Sequence, residues 1–291
     1  MKPNPHFLQA LRLSQLRIRH AVASTGIGER RSRAKGSGME FADFREYIPG
    51  DDMRHLDARL HARLGTFHIR QYEVMMQLPV TVVVDASRSM LAGTPRKLDI
   101  ATWLANGLGY LALAGGDRVE IAYWSGERLE MSPRFSGISR TQRLFGWLEG
   151  QAASGRAPFE STLPRLAELL PANGLVILIS DFWLDDPAAA LTPIAATGSE
   201  IWGFHVLTPE EADPAQIAEG EVRLSDAESG AEVMVTLDRA VLAEYREVLA
   251  AHQALLRTTI GDLGGRYVVS RTDADMEHLV LHDLRSLGMV G

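Results

Sequence analysis

The run from Leu78 to Val84 is made almost wholly of apolar, β-branched side chains. It is too short for an independent helix and too apolar for a strand with one wet face, so it predicts a buried strand of a parallel sheet. Pro79 falls near its start, where a missing N–H is tolerated. Leu175 to Ile179 and Ile201 to Leu207 repeat the pattern. Between and around these runs, helical spacing covers Lys97 to Ala114, Thr141 to Glu149, Leu163 to Leu170 and Pro187 to Ala196, the last with proline in its first turn. Further strands are predicted at Val119 to Trp124, near Leu129 and at Tyr267 to Ser270, and further helices at Arg239 to Leu263 and Asp273 to Leu287. Strands alternating with helices predict an α/β fold, a doubly wound and mostly parallel sheet with helices on both faces. Two alternating runs around Glu228-Ser229-Gly230, within residues 221–237, predict an inserted β-hairpin.

Upstream the pattern differs. Phe7 to Val22 has roughly helical apolar spacing with Arg12, Arg17 and Arg19 between, which predicts an amphipathic helix. Ser24 to Gly38 is rich in Gly, Ser, Arg and Lys without periodicity and reads as a connection or exposed loop. Phe41, Phe44, Tyr47 and Ile48 then supply apolar anchors, Pro49-Gly50 before Asp51-Asp52 predicts a chain reversal, and Thr66 to Tyr72 alternates as a strand does. The expected organisation is therefore an amino-terminal extension over residues 1–77 and an α/β domain over residues 78–291.

Composition narrows the chemistry. The chain has no cysteine, which excludes disulfides, thiolate metal sites and thiol nucleophiles. No apolar run approaches the roughly eighteen residues of a bilayer span, and Met1 to Ala10 lacks the apolar stretch of a signal peptide, so a cytoplasmic location is expected. The net charge of −7 is uneven: residues 1–72 have 13 basic and 7 acidic side chains, the remainder 17 and 30. A basic region of this kind can meet nucleic acid. Its charges are interspersed with Asp51, Asp52 and Asp57, which favours pairing within the chain over a nucleic-acid partner. The same holds for the cluster Arg54, His55, Arg59, His61, Arg63, His68 and Arg70, whose histidines lack a chelating spacing. No phosphate-cradling Gly-Lys-Ser/Thr loop and no Gly-x-Ser-x-Gly elbow is present.

Two apolar strands end in aspartate. Asp85-Ala86-Ser87-Arg88-Ser89 lets one turn direct a carboxylate and two hydroxyls at a common point, an all-oxygen set suited to a hard cation that keeps several waters. Asp181 can add a carboxylate, directly or through water. The alternative is a strand-to-helix turn in which serine caps the next helix. In open α/β sheets such positions lie where ligands bind, beyond the carboxyl ends of the strands.

Asp85-x-Ser87-x-Ser89 after a buried strand resembles the metal-ion-dependent adhesion site of von Willebrand factor type A domains. That family adds a threonine from a later loop, matched here by Thr162, and an aspartate after the fourth strand, matched by Asp181. The segment from Glu40 to Asp57, Glu-Phe-Ala-Asp-Phe-Arg-Glu-Tyr-Ile-Pro-Gly-Asp-Asp-Met-Arg-His-Leu-Asp, is similar to the signature of bacterial domain-of-unknown-function family 58. Its members also carry a type A-like domain, and their genes commonly neighbour those of MoxR-type AAA ATPases. Ala58, where that family often has tryptophan, and Leu163, where an acidic residue commonly follows the threonine, depart from the pattern. The resemblance implies a non-enzymatic, cation-dependent interaction module binding Mg²⁺ or Mn²⁺ through Asp85, Ser87, Ser89, Thr162 and Asp181. Its implied partner is a MoxR-type ATPase or a client of one, which completes the metal shell with an acidic side chain. A metal-assisted hydrolase is the competing reading; it requires a base near the cation, and no histidine is adjacent in sequence to the proposed ligands.

Overall fold

The computed structural model describes residues 2–19, 31–32, 39–49, 51, 53–75, 77–153, 155, 157–216, 220–227 and 230–291. The chain forms two compact units, one of residues 1–20 with 78–291 and one of residues 21–77.

The larger unit begins with α1 (Pro5–Leu11), started by Asn4, whose side chain accepts from the Phe7 N–H, and by proline at the first helical position. The helix is shorter than the predicted Phe7 to Val22. It closes at Leu11, Leu13 is exposed, and Leu16 forms a bridge with Val290. The Gln15 N–H donates to the Gly291 carbonyl at 2.7 Å and the Arg17 N–H to the Met289 carbonyl at 2.8 Å, so the distal segment takes groups that a longer helix would use. Residues 20–22 of that prediction lie outside the described residues.

The smaller unit is an antiparallel sheet of β1 (Arg31–Ser32), β2 (Met39–Glu46) and β3 (His68–Met75) in the order β1-β3-β2. Apart from β1, the predicted connection from Ser24 to Gly38 lies outside the described residues. The reversal expected near Pro49 is closed by Asp51, which receives both Arg45 guanidinium nitrogens at 2.8 and 2.6 Å and the Ile48 N–H at 2.9 Å. An unpredicted helix, α2 (Ala58–Leu64), follows Asp57, whose carboxylate accepts from the Arg59 and Leu60 N–H groups. Asp51 and Asp57 thus organise a turn and a helix start, beyond the pairing with the basic cluster that the sequence suggests.

The rest of the larger unit is built on β4 (Pro79–Asp85), β5 (Arg118–Trp124), β6 (Leu129–Met131), β7 (Phe135–Ser136), β8 (Leu175–Ser180) and β9 (Glu200–Leu207). A hairpin of β10 (Gly220–Ser225) and β11 (Glu232–Leu237) precedes the last strand, β12 (Arg266–Arg271). The main sheet has seven strands in the order β12-β9-β8-β4-β5-β6, with β7 also paired to β5. Only β6 and β7 run antiparallel to their neighbour.

Alternation within the strands sorts the core into two layers. Val80, Val82 and Val84 face a cluster with α3 (Lys97–Ala114), α4 (Thr141–Glu149), α1 and the closing helical segment. Val83, Val176 and Leu178 face a second cluster with α5 (Leu163–Leu169), α6 (Pro187–Ala195) and, after the short α7 (Pro209–Ala212), α8 (Arg239–Asp262). The expected doubly wound α/β sandwich is therefore the observed one. The closing segment starts later than Asp273: Asp275 caps α9 (Met276–His278), a π-helical turn follows at Leu279–Asp283, and α10 (Leu284–Ser286) ends it.

This topology fixes where a ligand can sit. From β4 the chain crosses to β5 on one side, whereas β8 leads to β9 and β12 on the other. The connections diverge between the carboxyl ends of β4 and β8, and an open α/β sheet leaves its ligand crevice there.

Candidate metal-ion site at the switch point

Asp85 is the last residue of β4 and has no exposed surface. Its Oδ1 accepts the Ser87 N–H at 2.9 Å, a local turn that brings the serine loop back over the strand end. The Ser87 and Ser89 hydroxyl oxygens lie 3.3 Å apart. Ser87 precedes a 3-10 turn, Arg88–Leu91, but makes no side-chain cap bond, so the geometry does not follow the capping alternative. Buried Met90 anchors the turn between the two hydroxyls' loop and the core.

Across the crevice, the Ser180 hydroxyl at the end of β8 donates to Asp85 Oδ2 at 2.6 Å and accepts the Phe182 N–H at 3.0 Å. Phe182 has φ +52°, a left-handed conformation unfavourable for a bulky residue. Its ring is fully buried, and Gly203 on β9 makes the room: a Cβ there would lie 3.2 Å from Phe182 Cζ and 2.7 Å from Ile260 Cδ1. His252 Nε2 donates to the Phe182 carbonyl at 2.9 Å and secures the turn from the α8 side. Trp183 beside it is half exposed and stacks on the His252 ring, with centroids 5.1 Å apart.

Asp181 is buried, and its Oδ2 accepts from Lys97 Nζ at 2.8 Å. The same ammonium donates to Glu211 Oε1 at 2.6 Å, and only 1% of the Lys97 side chain is exposed. Asp85, Ser87, Ser89, Asp181, Trp183 and Glu211 line a cleft of about 360 Å³, together with Pro158 and Phe159 and with Ser225, Asp226 and Ala227 at the hairpin tip. Thr162 is not among the residues lining it. It is buried at the end of a 3-10 turn, Phe159–Thr162, whose first residue does reach the cleft. Sequence reasoning therefore missed Ser180, Lys97 and Glu211.

The electrostatics follow from burial. Desolvation, and after it the charge of Asp181, lift the Asp85 carboxyl to about 7, although hydrogen bonds from Ser180 and Ser87 pull the other way. Burial alone disfavours the Lys97 ammonium, but Asp181 and Glu211 outweigh it and the group is raised. His205, paired in register with Ser180, is fully buried, with Nδ1 against the Tyr267 hydroxyl. Burial pushes it down to about 4, against the opposing pull of Asp181.

Asp85, Ser87 and Ser89 offer hard oxygen donors, with Asp181 facing the same cleft, and a cation here would relieve the mutual repulsion of two buried carboxylates. Among the described residues no group of three or more His, Cys, Asp or Glu is arranged to hold a metal. A cation in this cleft would draw on serine hydroxyls and water beside its carboxylates, an all-oxygen set that suits Mg²⁺ or Mn²⁺.

Comparison with known proteins adds a family. Residues 43–255 match the model described as "Protein of unknown function DUF58". Uncharacterised proteins of Mycobacterium tuberculosis and Mycobacterium bovis are 28% identical over 279 residues, spanning 94% of this chain and 87% of theirs. Among solved structures, the conserved hypothetical protein BatB from Bacteroides thetaiotaomicron is 16% identical, with a TM-score of 0.45 over 72% of this chain and 98% of that one. An aerotolerance-related membrane protein from Bacteroides fragilis is 15% identical, with a TM-score of 0.46 over 72% and 97%. The SpRpn10 VWA domain is 9% identical, with a TM-score of 0.36 over 73% and 95%.

Proposed function

The chain belongs to the DUF58 family, and on that premise we propose that it is a non-enzymatic, divalent-cation-dependent protein-interaction module. The observation that supports this most is the convergence of Asp85, Ser87, Ser89 and Asp181, from two strand ends, on one cleft at the switch point. Asp85, Ser87 and Ser89 would hold Mg²⁺ or Mn²⁺, with Thr162 and Asp181 completing the set directly or through water. When bound, the cation supplies a positive centre with an open position. An aspartate or glutamate of the partner fills that position. The partner is a MoxR-type AAA ATPase or a client of one, as the family resemblance implies. Hydrolysis fits less well: His205, the imidazole behind Asp181, is sealed from the cleft and committed to Tyr267. Among the described residues no helix is long and apolar enough to cross a membrane.

The test is a titration of Mg²⁺ and Mn²⁺ into wild type and Asp85→Ala, followed by thermal denaturation, and capture of the ATPase with and without chelator. The wild type is expected to gain stability with metal, Asp85→Ala to gain none, and capture to require the cation. Equal responses of the two proteins would place the cation elsewhere.

Trp183 stands at the rim of the cleft, a large side chain left half exposed beside Asp181. Exposed tryptophans at binding surfaces often carry a disproportionate share of the energy. Trp183→Ala is expected to weaken capture by about tenfold or more without altering the metal-induced rise in melting temperature. An unchanged partner affinity in calorimetry would take Trp183 out of the interface.

A further inference from the structure

The ammonium of Lys97 sits on the carboxylate that sequence reasoning gave to the metal. We infer that Lys97 is a positioning residue that keeps Asp181 out of direct coordination, so that a cation in this cleft has Asp85 as its one directly bound carboxylate and meets Asp181 only through water. The inference rests on the cation-binding reading above and deepens it.

Lys97 is held at both ends. Its backbone N–H donates to the Ala92 carbonyl at 3.0 Å, and the Ala92 N–H to Ser89 at 3.2 Å, so the lysine belongs to the same loop as the two serines. Its ammonium reaches Asp181 Oδ2 and Glu211 Oε1 with the rest of the side chain buried. Glu211 cannot readily leave. Its other carboxylate oxygen accepts the Thr208 N–H at 2.8 Å in a capping box, and its carbonyl accepts the Tyr245 hydroxyl at 2.6 Å. The serine loop approaches this capping box closely: at Gly93, with φ +88°, a Cβ would lie 2.5 Å from Thr208 Cγ2. Lysine, both carboxylates and the serine loop therefore form one braced assembly.

A divalent cation bound directly to Asp181 would place a dication beside the tethered ammonium that already holds Oδ2 of the same buried carboxylate. Coordination through an intervening water avoids that conflict and leaves the Asp181–Lys97 pair intact. The bound ion then carries one direct negative ligand and keeps a net positive charge, the condition for attracting a carboxylate from outside.

The test uses Mn²⁺ alone as probe, with calorimetric affinity and the number of metal-bound waters from proton relaxation as readouts. Three proteins suffice: the wild type, Lys97→Met, and the charge-neutral double variant Lys97→Met/Asp181→Asn. In Lys97→Met the freed Asp181 is expected to enter the shell, tightening Mn²⁺ by about tenfold or more and displacing one bound water. The double variant is expected to return to wild-type affinity and hydration. If the single variant does not fold, the double variant decides: near-wild-type affinity and water count support the inference, and loss of Mn²⁺ binding overturns it. Unchanged affinity and hydration in Lys97→Met overturn the inference while leaving the cation site standing. No Mn²⁺ uptake by any of the three overturns both readings.

Discussion

In chelator at pH 8, Asp85→Asn is expected to melt above the wild type and to lose that advantage as the pH falls toward 4. The Asp85 carboxyl is lifted to about 7 in the folded chain, against 3.8 unperturbed, by burial first and by Asp181 second. A group that binds its proton more tightly when folded contributes its full stability below the unfolded value. That contribution is lost as the pH rises through the interval between the two. For a gap of this size the loss is about 4 kcal/mol, and asparagine, which does not ionise, avoids it. Asparagine keeps one acceptor oxygen, so one of the bonds from Ser180 and Ser87 is given up at about 1 kcal/mol. The remainder corresponds to a rise of about 5–10 °C for a domain of this size. The same substitution removes the carboxylate that holds the cation, so Mn²⁺ should raise the wild type and leave the variant where it was. A variant that melts at or below the wild type at pH 8 would mean that Asp85 is comfortably ionised without metal. Scanning calorimetry over a pH series separates the outcomes.

Glu200→Ala is expected to cost about 3–5 kcal/mol in urea unfolding while preserving the response to metal. Glu200 opens β9, at the end of the parallel strands away from Asp85. Its side chain, 1% exposed, accepts the Trp202 indole N–H at 2.8 Å and the backbone N–H of Arg19, and pairs with Arg266 at 3.5 Å. The Arg266 guanidinium also donates to the carbonyls of Arg17 and Gly288, at 3.0 and 2.8 Å. Without Glu200, a largely buried cation loses its counter-charge, an indole N–H loses its acceptor, and the segment of residues 15–19 loses its tie to β9. Faster amide exchange at Arg17 and Arg19 should accompany the loss of stability. A cost below about 1 kcal/mol, the range of an exposed pair, would show that water reaches the cluster.

Much of the fold is legible because its strongest signals are local. Lys97 to Ala114 is bounded in the structure as the apolar spacing predicts, since nearly every face of that helix is buried and the pattern is dense. The strands ending at Asp85 and Ser180 are legible for the same reason. Phe7 to Val22 misleads because Leu13 and Leu16 keep helical spacing while one is exposed and the other pairs with Val290, a partner supplied from the far end of the chain. The site divides along the same line. Asp85, Ser87 and Ser89 are read from one short turn, and Asp181 from the end of an apolar run. Lys97 meets Asp181 across 84 residues and Glu211 across 114, and nothing in its own neighbourhood marks it as other than the first residue of a helix. Thr162 comes from the resemblance alone; it is buried at the end of the 3-10 turn Phe159–Thr162, whose first residue lines the cleft.

Leu224, Val233 and Met234 of the hairpin whose tip borders the cleft are exposed, and among its described residues only Leu237 at its foot is buried. Because the hairpin tip and the serine loop line one cleft, any group that enters it toward Asp85 also meets Ser225, Asp226 and Ala227.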